Sequence, residues 1–105
     1  MTETWTSRDL PVLRAIVDLY EGTGSPMGPE AIESATGFDA ATVQAALRAL
    51  DSEEPPYVAR FERVMTGAII LIGAPTGKAR RAVGAWPTPE SIADRLVQAL
   101  DEAAD

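Results

Sequence analysis

At 105 residues the chain suits one domain, in which about two-thirds of the unfolded surface is available for burial. Neither cysteine nor histidine occurs, which excludes disulfides, thiol and imidazole catalysis and the usual zinc sites. The net charge of −7 argues against a strongly electrostatic nucleic-acid binder.

Met1–Leu10 lacks a basic-then-apolar leader, so a cytoplasmic location is expected, and residues 1–6 read as a loose tail. A helix is predicted from Ser7 or Asp9, either of which caps it, with Pro11 in its first turn and Leu13, Ile16, Val17 and Tyr20 on one apolar face. The stretch 21–28 ends it. Pro29 and Glu30 open a short second helix, with Ala31, Ile32 and Ala35 turned inward. Gly37 closes that helix, and Phe38 fills the corner before the next. Asp39 caps a third helix over 39–50, with Val43, Ala46, Leu47 and Leu50 as its buried stripe. The prolines at 55 and 56 stop it.

Tyr57–Phe61 and Ala68–Ile72 then read as the two strands of a hairpin turning at 64–67. The apolar run 68–72 is far too short to span a bilayer, so no membrane is expected. A short helix over 76–83 carries Lys78, Arg80 and Arg81. Trp86, before Pro87, is expected to pack the joint that follows. Thr88, Pro89 and Glu90 start a last helix whose apolar face holds Ile92, Leu96, Val97, Ala99, Leu100 and Ala103. The fold class is therefore mainly α with a small β-hairpin. Residues 1–87 form one domain, and residues 88–105 an added helix suited to dimerisation or to continuing a longer chain.

Charge is unevenly spread. Residues 1–54 carry −7, residues 55–86 carry +4 and residues 87–105 carry −4. The basic island comprises Arg60, Arg63, Lys78, Arg80 and Arg81, suited either to gripping phosphates or to balancing the acidic first half, with Arg80 and Arg81 able to pair with Glu62 or with acidic residues of the first helix. On the third helix, Gln44 is of the type that reads adenine and Arg48 of the type that reads guanine, while Thr42 suits a phosphate. The competing reading of those three is an ordinary alanine-rich solvated face. Gly73-Ala74-Pro75-Thr76-Gly77-Lys78 fails as a phosphate loop, having three residues between its glycines instead of four and Ala79 after the lysine. The carboxylate pairs Glu30/Glu33 and Asp51/Glu53/Glu54 lack any supporting nucleophile. No enzyme activity and no cofactor are expected.

From Leu10 to Val83 the chain resembles a winged helix-turn-helix domain of the actinobacterial type. Gly37 and Val43 carry the turn-glycine to core-valine spacing. The run from Gly77 to Ser91 resembles the stretch after the wing in poorly characterised actinobacterial proteins whose winged-helix domain opens a longer chain. Glu33 departs from that pattern, standing where a small residue is favoured four positions before the turn glycine. The resemblance implies a DNA-binding, transcriptional-regulator-like domain, with helix 39–50 in the major groove of double-stranded DNA and the basic wing on phosphates. It also implies a homodimer through residues 88–105. The alternative is a winged-helix module that binds a protein partner and no nucleic acid.

Overall fold

A computed structural model describes residues 4–84. The predicted last helix over 88–105, its proposed dimer role and the packing of Trp86 lie outside the described residues. Within them the chain forms four α-helices and one two-stranded antiparallel sheet: α1 (Leu10–Thr23), α2 (Pro29–Thr36), α3 (Ala40–Asp51), β1 (Phe61–Arg63), β2 (Ile69–Ile72) and α4 (Gly77–Ala82).

The first helix starts earlier than its capping residues suggest. A π-helical segment, Trp5–Asp9, runs straight into α1. Trp5 is therefore no part of a loose tail: its ring stacks on Tyr57, centroid to centroid 5.6 Å. That contact joins residues 52 apart in sequence and gives the segment a reason to stay helical without a cap.

Val12, Leu13, Ile16 and Val17 of α1 meet Ile32 of α2 and Val43, Ala46, Leu47 and Leu50 of α3 in a single core, closed on the hairpin side by Val58, Ile69 and Ile72 and beneath α4 by Ala79. The predicted stripe of α3 is buried throughout, and Phe38 is half-buried against the core. Ile32 is buried and Ala31 packs half-buried against the core as expected, but Ala35 is exposed. Gly37 ends α2 at φ +78°, a left-handed conformation that a β-carbon would strain. Asp39 Oδ1 accepts from Thr42 N at 2.8 Å to start α3. Hydrogen bonding from the Thr42 side chain and backbone holds the Asp39 carboxyl below its ordinary value. Because the folded value is the lower one, this cap supports the helix at neutral pH and is lost as pH falls through the folded value.

The hairpin differs from expectation in its first arm. Only Phe61–Arg63 forms regular strand; residues 57–60 run beside 73–76 through Ala59 N to Ala74 O (2.8 Å), Gly73 N to Arg60 O (2.9 Å) and Thr76 N to Tyr57 O (2.9 Å). Pro75, facing Val58, has no N–H to give, so the ladder is interrupted there. Gly73 sits so near the Arg60 carbonyl that a β-carbon would lie 3.1 Å from it. The register Phe61↔Ile72, Glu62↔Leu71, Arg63↔Ile69 skips Ile70, which is accommodated as a bulge. The bulge resets the alternation of β2, so that Ile69 and Ile72 are both buried although they are three residues apart. On the other edge of β2, Met27 exchanges two backbone bonds with Ile72, at 3.0 and 2.8 Å.

Candidate interaction surface

Most of the side chains picked out for DNA contact face protein groups. Gln44 Nε2 donates to Ile69 O at 2.7 Å, and Ile69 N donates to Gln44 Oε1 at 2.9 Å. A primary amide offers the same donor and acceptor as a peptide, so Gln44 stands beside Ile69 as a strand residue would. Two turns further along the same face, Asp51 pairs with Arg63 of β1. Gln44 and Asp51, seven residues apart, thus strap the hairpin along α3. The face from which Gln44 was expected to reach a base is the face the hairpin covers.

In the basic island Arg60, Arg63 and Arg80 each face a carboxylate. Arg60 pairs with Glu62. Arg80 Nε lies 2.9 Å from Glu21 Oε1 at the end of α1, near enough for an ion pair although the angle makes no hydrogen bond. Lys78 Nζ donates to Pro55 O at 2.8 Å and lies 4.3 Å from the Tyr57 ring centre. Burial and, secondarily, the Glu53 charge raise the Tyr57 phenol above its ordinary value. Arg81, exposed on α4, is also engaged. Thr42 is half-buried, with its N–H used by the cap. Arg48 is exposed on α3 and, among the described residues, has no ion-pair partner.

Exposed pairs of this kind are worth only about 0–1 kcal/mol and open easily. Their consequence is electrostatic. A phosphate approaching Arg60 or Arg63 also approaches Glu62 or Asp51, which weakens the attraction of those two arginines. A surface that grips DNA needs unmatched cations.

The chain matches no family model, no curated protein and no solved structure.

What sequence reasoning missed is the hairpin tip. The large apolar side chains exposed among the described residues are Met65, fully exposed, Ile70 at 48% and Val64 at 43%. All three belong to the hairpin. The turn is closed by Gly67 N to Val64 O at 2.9 Å and Val64 N to Ala68 O at 3.0 Å, which leaves Met65 at its apex. Ile70 is turned out by the bulge. The signal was available at the tip, where Val64-Met65 replaces the polar pair usual in a solvent-facing turn. Among the described residues no three potential metal ligands converge, and no helix is long and apolar enough to cross a membrane.

Proposed function

We propose that this chain is a winged-helix module that binds a protein partner through its wing tip. The element order supports the winged-helix reading: α1, a short extended segment at Met27 laddered to β2, α2 turning at Gly37 into α3, then the hairpin as wing. The observation that carries the choice of partner is the pairing of an apolar wing tip (Val64, Met65, Ile70) with a charge-neutralised wing base, where Arg60 and Arg63 each face a carboxylate. An exposed methionine apex flanked by β-branched residues suits an apolar pocket on another protein, and methionine adapts to irregular pockets. A minor-groove wedge also uses such residues, but it draws its affinity from free arginines beside it.

The DNA reading keeps one specific support, Arg48, exposed on α3 and with no ion-pair partner among the described residues. Titration of labelled random-sequence duplex DNA with the full chain, followed by fluorescence anisotropy at low and then physiological salt, separates the two. No salt-dependent binding is expected. Binding that falls steeply with salt and disappears in Arg48→Ala would overturn the proposal in favour of DNA.

A further inference from the structure

The wing tip is oxidisable as well as apolar. Among the described residues sulfur occurs at Met27 and Met65, and the chain has no cysteine to intercept an oxidant first. The two thioethers stand in opposite surroundings. Met27 is 8% exposed, belongs to the core and sits in the segment laddered to Ile72. Met65 is fully exposed at the turn apex. The bonds that close the turn, Gly67 N to Val64 O and Val64 N to Ala68 O, join backbone atoms, so a chemical change at the Met65 sulfur breaks none of them.

We propose that Met65 is a reversible oxidation site, at which a peroxide switches the wing tip from a docking to a non-docking form. The switch rests on the reading of the wing as a protein-docking element. A lone pair of Met65 Sδ attacks a peroxide oxygen, and the O–O bond breaks as the S–O bond forms. Sulfur is oxidised by two electrons and the peroxide is reduced. With hydrogen peroxide, the departing hydroxide takes the proton of the transferred oxygen and leaves as water. The product is a sulfoxide, whose polar oxygen accepts hydrogen bonds, in a tip that Val64 and Ile70 otherwise make apolar. An apolar pocket that fits the thioether gives that oxygen no donor, so the complex weakens about tenfold. Sulfoxide reductases, one for each epimer, restore the thioether and with it the docking form. At Met27 the same reaction would place an oxygen in the core, so the difference in exposure also protects the fold.

The full chain is treated with hydrogen peroxide, quenched with catalase at intervals and mapped by peptide mass spectrometry. A gain of one oxygen is expected about tenfold faster at Met65 than at Met27, with the urea midpoint unchanged while Met65 alone is oxidised. Docking is read with a photoreactive diazirine at exposed position 66, in cells of the source organism. The adduct of the native tip is expected to persist in Met65→Leu and to fall about tenfold in Met65→Gln, a polar side chain of similar length. Peroxide added to the cells should lower the native adduct and leave that of Met65→Leu unchanged. Oxidation of Met27 as fast as Met65, or a lowered midpoint, would overturn the site. An adduct that survives Met65→Gln, or that peroxide lowers equally in the native tip and in Met65→Leu, would overturn the switch and leave the docking reading standing. No adduct from the native tip would overturn the docking reading, and the switch with it.

Discussion

Replacing Gln44 with alanine is expected to lower the unfolding free energy by about 2–3 kcal/mol, read from urea denaturation followed by circular dichroism. Ile69 is fully buried, and its N–H and C=O both use the Gln44 amide. Alanine removes that amide and leaves two buried backbone groups unpartnered, each of which costs roughly 1–3 kcal/mol if water does not reach it. A solvent-facing glutamine on a helix would instead give a change near zero, since alanine has the better helix propensity. The sign and size of this one substitution therefore distinguish a strap from a free base-reading side chain. A change smaller than about 0.5 kcal/mol, the usual range for an unconnected surface position, would contradict the assignment.

Leu47→Ala is expected to cost more, about 2–5 kcal/mol, and to bring the domain near the edge of folding. Leu47 is fully buried in the single core shared by the helices and the hairpin. Truncation removes apolar contacts and leaves a cavity that the packed surroundings close only in part. Its effect is not expected to add simply to that of Gln44→Ala. The two side chains are three positions apart on α3, and Leu47 lies in the same core cluster as Ile69, which Gln44 holds, so a double mutant should reveal coupling. An unchanged denaturation midpoint for Leu47→Ala would contradict the core described here.

The elements were legible where local chemistry decides them. Asp39 as cap, Gly37 as left-handed terminus, the stripe Val43, Ala46, Leu47 and Leu50, and the turn at 64–67 all follow from side-chain type and spacing, and the structure places them accordingly. The errors arise where distant residues decide. Trp5 is ordered by Tyr57, and the first arm of the hairpin starts its regular strand at Phe61 because Pro75 stands opposite Val58. The candidate site was legible as a set of residue types but not as a field. A first-helix carboxylate is among the expected partners of Arg80, and Glu21 is that partner, but nothing in the local sequence pairs Arg63 with Asp51, and the Gln44 amide meets a backbone 25 residues away. The bulge that turns Ile70 outward is equally invisible, because an apolar run such as 68–72 reads as wholly buried until its register is known.

The reading of the wing as a protein-docking element is tested most directly by placing a photoreactive diazirine amino acid at position 65 of the full chain, in cells of the source organism, and identifying what it crosslinks on irradiation. The expected result is a discrete protein adduct. It should be absent when the same group is placed at exposed position 41 of α3, and strongly reduced when Ile70→Asp is added. A nucleic-acid adduct from position 65, or no adduct at all, would contradict the account.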